Sequence, residues 1–385
     1  MMRRFLPSGL SILVIAGSAS GEVRAPAGPV ARAVADRLGS AHVAGRYNFT
    51  RDDYLNEGAD QILKLGMRVI KIYLHDPAGS YRFNSRWPKF DNLTQVARHP
   101  YYRRLFGKPF TTYIMTAYSL RNRDGAYWRR GVSDEQYARE SQEFYELAKY
   151  LLEAYHGTGK TFVLQHWEGD WAVRGNTNPE PEGDPSPKAL DGMVRWLNAR
   201  QDGVDRARAE VKNTDVKVYN ACEMNLVAIA MDGRTTVVNN VVPRTRCDLY
   251  SYSSYDTIGV AAENPGEGRK LFRRALDYIA SKAPDSRDFG DKNVFVGEFG
   301  WPEVRSEKDP GASTEKCLRV LKMTTEESLA WGCPYVVYWQ VFDNEVRSGK
   351  ARPTNDQCRG FYLVKPDGTR AAAWDYFASL LVAPK

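Results

Sequence analysis

The sequence predicts an α/β chain folded as a single (β/α)8 TIM barrel. Short apolar runs of strand character alternate with longer helical patterns along nearly the whole chain. Eight such runs can be counted, at 45–49, 68–75, 108–120, 161–171, 216–227, 247–255, 293–302 and 335–342. The marks of two competing folds are missing: no glycine-rich phosphate loop follows the first run, and no Gly-x-Ser-x-Gly elbow occurs. Strands alternating with helices pair in parallel through right-handed crossovers, and eight of them close a barrel.

The elements follow in order. The run GRYNF at 45–49 is the weakest and is taken as the first strand. Thr50, with Asp53 three residues on, opens a helix that Gly66 stops. RVIKIYLH is a strong second strand, and KPFTTYIMTAYSL holds the third. Ser133 and Gln136 form a capping box for a helix reaching about Tyr155. TFVLQHWEGDW is the fourth strand, followed by a Pro-, Gly- and Asn-rich loop (175–187) and a helix to about Val211. VKVYNACEMNLV and CDLYSYSSY are strands five and six, and a basic helix covers about 267–282. NVFVGEFGWP is strand seven, a helix runs from Thr314 to Trp331, YVVYWQVF is strand eight, and a short helix near 371–381 ends the series.

With 385 residues, 43% hydrophobic and 26% charged, the composition is globular and excludes general disorder, collagen and a polytopic membrane protein. The net charge of +7 is spread without a block of like charges, so no nucleic-acid footprint is present. Aromatic residues reach 12%, which fits either a large core or a surface that stacks on rings. Five cysteines without a CxxC leave at least one outside any intrachain pair and argue against a zinc ribbon. Arg3 and Arg4 precede the apolar stretch LSILVIA (10–16), too short to span a bilayer, and small residues follow at 16–20. The expectation is a leader over 1–25, a catalytic domain over 26–385, a secreted or periplasmic location that permits one or two disulfides, and no membrane association after cleavage.

In a barrel the chemistry sits where strands end. Strand two ends in His75 and Asp76, and strand four in His166, Trp167, Glu168 and Asp170. Strand five carries Asn220, Glu223 and Asn225, and strand six Tyr252 and Tyr255. Strand seven ends in Glu298 and Trp301, and strand eight in Trp339, Gln340 and Asp343. Period-two alternation groups Val294 and Val296 with Glu298, and Leu164 and His166 with Glu168. A carboxylate closing an apolar face is costly unless it is paired or functional. One such glutamate reads as an ion pair with an arginine; two, amid Trp, Tyr and Asn, suit glycoside hydrolysis, in which one carboxyl protonates the leaving oxygen while the other attacks the anomeric carbon or activates water. Two other classes compete: a non-catalytic carbohydrate-binding barrel, and a barrel metallohydrolase using His75, Asp76 and His166. Against the latter stand five histidines in all and no His-x-His. Cys222 has no evident histidine partner and reads as a small buried residue.

The stretches VFVGEFGWP (294–302) and YVVYWQVFDNE (335–345) resemble the end of a clan A retaining glycoside hydrolase barrel, a superfamily that includes cellulase-like and mannanase-like enzymes. LGMRVIKIYL (65–74) and GFYLVKPDGTRAAAWDYF (360–377) fit the same pattern, so the resemblance spans about 42–382. It implies Glu298 as nucleophile, Trp339 as the substrate-platform tryptophan and Tyr252 as the aromatic touching the nucleophile. The clan's acid/base glutamate usually follows an asparagine, whereas here Trp167 precedes Glu168. If 45–49 is strand one, Glu168 ends strand four and is the acid/base. If not, Glu223 takes that place, but Glu298 then ends strand six, against the clan pattern. Further substrate contacts are expected from Trp301, Trp167, Tyr255, Glu223, Asn220 and His166. The partner is a carbohydrate, and no cofactor or metal is implied.

Overall fold

A computed structural model of the chain describes residues 34–122, 124–178, 182–212, 214–347 and 352–381. The expected leader lies outside the described residues. Eight parallel strands form a closed barrel in sequence order: β1 (Leu38–Ala41), β2 (Val69–Tyr73), β3 (Thr112–Thr116), β4 (Thr161–Gln165), β5 (Lys217–Met224), β6 (Leu249–Ser253), β7 (Val294–Phe299) and β8 (Val336–Tyr338). Closure comes from β1 against β8, with Leu38 opposite Val336 and Ser40 opposite Tyr338. Among the described residues no helix is long and apolar enough to cross a membrane.

One strand is corrected. The first stave is LGSA at 38–41, not GRYNF at 45–49. Its small residues carry no β-branched or alternating signal, so pattern alone passes over it. Residues 45–49 instead form a loop, where buried Tyr47 packs on Phe342 at 5.5 Å and donates its hydroxyl to the Val364 carbonyl at 2.6 Å. The strand count survives, so Glu168 still follows β4 and Glu298 still lies on β7.

The helices start and stop as their caps dictate. The Asp53 side chain, rather than Thr50, caps Tyr54–Leu65 by accepting from Asn56 N, and Gly66 ends that helix at φ 100°, a conformation glycine takes without strain. The capping box of Ser133 and Gln136 opens Asp134–Ala154. All five cysteines are buried and unpaired, so the one or two disulfides that export would permit are not formed.

Two cores follow from strand alternation. Ile70, Ile72, Leu164, Val218, Cys222, Tyr252, Val294 and Val296 belong to the outer core between sheet and helices. Val69, Ile114, Val163, Tyr219, Leu249, Phe295 and Val337 form an apolar plug inside the barrel. The next inward positions, two residues beyond Val69, Val163 and Leu249 and four beyond Tyr219, are Lys71, Gln165, Ser251 and Glu223, all buried. The barrel therefore carries a polar layer on top of its apolar plug, directly beneath the mouth.

This arrangement overturns the expected grouping of the glutamates with Val294, Val296, Leu164 and His166, since Val294, Val296 and Leu164 face the helices. Two backbone irregularities re-aim the carboxylates. The register slips between Tyr252 and Ser253 against β7, and again between Val296 and Phe299 against β8, so Ser253 comes to pair with Glu298. A bulge inserts a residue and re-aims the side chain beside it. Glu168 lies three residues beyond the end of β4 at φ 25°, ψ 84°, outside the regions a side chain with a Cβ prefers.

Candidate active site

Glu168 and Glu298 line one cleft of about 840 Å³ at the C-terminal mouth of the barrel. Its wall includes Trp167, Trp171, Tyr255, Trp301 and Trp339. Both carboxylates are nearly closed from solvent, Glu168 at 7% and Glu298 at 5% exposure. Among the described residues neither meets an arginine. Glu298 Oε2 instead accepts from Lys71 Nζ at 3.1 Å, and its Oε1 accepts from the Tyr255 hydroxyl at 3.1 Å. Glu168 Oε1 accepts from Ser253 Oγ at 2.6 Å. Because Ser253 pairs with Glu298 in the sheet, this hydroxyl ties the two carboxylates into one site.

The surroundings treat the two acids differently. Burial lifts the Glu298 carboxyl to about 7, against the opposing pull of the Lys71 ammonium, with the Glu223 charge adding to the rise. Burial lifts Glu168 well above the ordinary carboxylate range, and the Glu298 charge pushes it further. Two like charges in a low-dielectric site share one proton, and the site with more donors to its anion ionises first. Glu298 has an ammonium and a phenol; Glu168 has a single hydroxyl. The proton therefore resides on Glu168 when Glu298 is ionised.

No sequence motif marks Lys71; its one signal is a lysine in the middle of an otherwise apolar strand, at an inward position two residues after Val69. The ammonium is buried, and burial alone would lower it, but the charges of Glu223 and Glu298 outweigh this and hold it above the ordinary lysine value.

The structure sorts the other expected site residues. Trp167, Tyr255, Trp301 and Trp339 lie on the cleft wall. Tyr252 does not touch Glu298. It faces the helix layer, stacked with Phe272 at 6.2 Å, with its hydroxyl on Asp256 and Thr257, because even-numbered β6 residues point outward. The aromatic on the nucleophile candidate is Tyr255. Asn220 also faces outward, its amide donating to the Leu197 carbonyl, and it is absent from the cleft wall. His166 is fully buried against Trp196, and its Nε2 accepts from Glu223 N at 3.1 Å. Burial and the Arg200 charge hold it neutral, at about 4. Glu223 is likewise fully buried inside β5 and is not part of the cleft wall, which removes it as a substrate contact. Cys222 packs in the outer core, where burial pushes its thiol well up. Asp170 accepts from the backbone N of Asn225, Leu226 and Val237, so it braces the loop after β5. His75 and Asp76 line a second cavity of about 790 Å³, from which His166 is closed off. Among the described residues no cluster of three His, Cys, Asp or Glu is placed to hold a metal ion.

The second cavity adjoins the first. Trp167, Trp171 and Thr177 belong to the walls of both, so the two tryptophans form a ridge between them. His75 stacks on Tyr73 at 5.0 Å and meets Tyr118 edge-on at 4.7 Å, extending the aromatic lining away from the glutamates.

No family model matches the sequence, and no curated protein matches it. Solved structures do match in shape. A variant GH5_18 protein of Streptomyces cattleya, in complex with Manβ1-4GlcNAc, is 13% identical, with 90% of this chain and 80% of that one covered at a TM-score of 0.55. A GH5-4 broad-specificity endoglucanase of Bacteroides salanitronis is 12% identical, covering 91% and 93% at 0.51. An exo-β-1,4-mannosidase of an Opitutaceae bacterium is 13% identical, covering 90% of this chain and 59% of that one at 0.53. What this chain shares with all three is the barrel fold.

Proposed function

We propose that the protein is a clan A retaining β-glycoside hydrolase acting on an oligo- or polysaccharide. The observation that carries this reading is the pair Glu168 and Glu298, which end adjacent regions of one aromatic-walled cleft with opposite hydrogen-bonding environments. Glu298, held by Lys71 and Tyr255, attacks the anomeric carbon and forms a glycosyl-enzyme. Glu168 donates its proton to the departing oxygen, then removes one from the water that releases the product. The requirement that the acid be protonated while the nucleophile is ionised matches the unequal donor sets around the two carboxylates. The names of the structural neighbours, a mannosidase and an endoglucanase among them, support a sugar substrate.

The ridge of Trp167 and Trp171 supports a substrate longer than one sugar, lying across both cavities. Export, expected from Arg3, Arg4 and the apolar stretch at 10–16, is part of the proposal because polysaccharides are met outside the cell.

A panel of β-linked polysaccharides and aryl β-glycosides, read for released reducing ends and phenol, tests the reading. Hydrolysis of at least one β-linked glycan is expected, with kcat/KM rising with oligosaccharide length and the rise flattened in Trp171→Ala. Glycan binding without cleavage across the panel would favour a carbohydrate-binding barrel instead.

A further inference from the structure

Glu223 lies below the cleft, and both of its oxygens accept hydrogen bonds. Oε1 accepts from Lys71 Nζ at 2.9 Å, from Gln165 Nε2 at 2.9 Å and from Ser251 Oγ at 2.9 Å. Oε2 accepts from the backbone N of Glu168 at 2.8 Å. Four elements, β2, β4, β6 and the turn after β4, therefore converge on one carboxylate of β5. Its contacts reach both candidate catalytic acids: Lys71 carries it to Glu298, and the Glu168 amide carries it to the backbone that holds Glu168 at φ 25°. A strained conformation persists where neighbours over-determine it, and this hydrogen bond is one such constraint.

We propose that Glu223 is a positioning residue that couples the two candidate catalytic carboxylates, fixing the backbone of Glu168 and the ammonium of Lys71 in one cluster and so setting the pH window in which the pair works. The inference rests on the glycosidase reading for its catalytic consequence. The charge count gives its physical basis. Among the described residues Lys71 is the one ammonium in contact with Glu223 and Glu298, and Glu223 neutralises much of it. Without that neutralisation the full positive charge would act on Glu298 and Glu168 and lower both carboxyls toward ionisation. The Glu223 charge does raise both carboxyls. The other ionisable groups facing this cluster are Tyr73 of β2, Tyr118 after β3, neutral His166 of β4 and Tyr255 after β6, whose hydroxyl donates to Glu298; the charge of Arg200, on the helix Pro187–Glu210, acts on Tyr118 and His166. None of these supplies a cation to replace Lys71.

The test compares the full chain with Glu223→Gln by two readouts: kcat/KM against pH, and NMR titration of glutamate carboxyls labelled with ¹³C. Removing the Glu223 charge should move both limbs of the rate profile, and the two coupled carboxyl titrations, to lower pH by about one unit or more. Activity lost at the wild-type optimum should return at lower pH. Glu223→Asp keeps the charge but cannot span Lys71 and the Glu168 amide, so kcat should fall with the profile in place. A purely structural role predicts reduced activity at every pH with no displacement, and that result overturns the inference. Should Glu223→Gln not fold, Ser251→Ala deletes one donor to the same carboxylate and no charge. It loosens the hold on that carboxylate, so the profile should again be displaced, and an unmoved profile in that folded variant also overturns the inference. If the wild type hydrolyses no glycoside but the carboxyl titrations still shift, the enzyme reading fails and the coupling stands.

Discussion

Replacing Glu298 by glutamine is expected to lower kcat/KM on β-glycosides by about 10⁴-fold or more, which corresponds to roughly 5.5 kcal/mol or more of lost transition-state stabilisation. The amide keeps nearly the shape of the carboxylate but cannot form the glycosyl-enzyme, so the covalent route closes. Because Glu298 is an acid held in a buried site at a cost of burial, its replacement is not expected to unfold the barrel. Lys71 retains Glu223 at 2.9 Å, so no ammonium is left unpaired. Steady-state kinetics on the best aryl glycoside, alongside a thermal melt, checks both halves. A loss of activity accompanied by loss of the folded state would point to a structural residue instead.

Lys71→Met has the largest expected effect on stability. It leaves two buried carboxylates without their cation, and breaking a buried ion pair in this way costs about 3–5 kcal/mol, a large share of the total stability of an ordinary domain. The pH dependence has a definite sign. Lys71 pulls the Glu298 carboxyl down in the wild type, so its removal lifts that carboxyl further above its unfolded value. A carboxyl raised in the folded state destabilises wherever the unfolded chain is ionised, and the penalty disappears below the unfolded value of about 4. Denaturant unfolding should therefore show the widest gap between variant and wild type above neutrality, closing toward pH 4. A gap that stays constant with pH would mean that packing of the lysine stem, not its charge, is what matters.

The barrel was legible because seven of its eight staves are long apolar runs with β-branched or aromatic residues, bounded by helices with readable caps. The eighth, LGSA, is made of small residues that pack without announcing a strand. The positions of Glu168 and Glu298 at the mouth were legible from the strand ends, but the alternation offered for them was not the reason they point there. Val294, Val296 and Leu164 face the helices, and only the register slips around β7 and the strained turn after β4 bring the glutamates to the cleft. Such irregularities leave little trace in a period-two pattern. Tyr255 rather than Tyr252 reaches Glu298 for the same reason: two tyrosines three residues apart on either side of the end of β6 cannot be ranked without knowing which face each takes. Lys71 and Ser253, which set the electrostatics of the site, sit inside strands where lysine and serine carry no motif.

The measurement closest to the central claim is covalent trapping. Incubation of the full chain with an activated 2-deoxy-2-fluoro β-glycoside, followed by proteolysis and mass spectrometry, should show the sugar attached to the peptide that contains Glu298, with Glu168→Gln still able to form that adduct from a good leaving group. Label on the Glu168 or Glu223 peptide, or turnover of the fluoroglycoside with inversion and no adduct, would contradict the account.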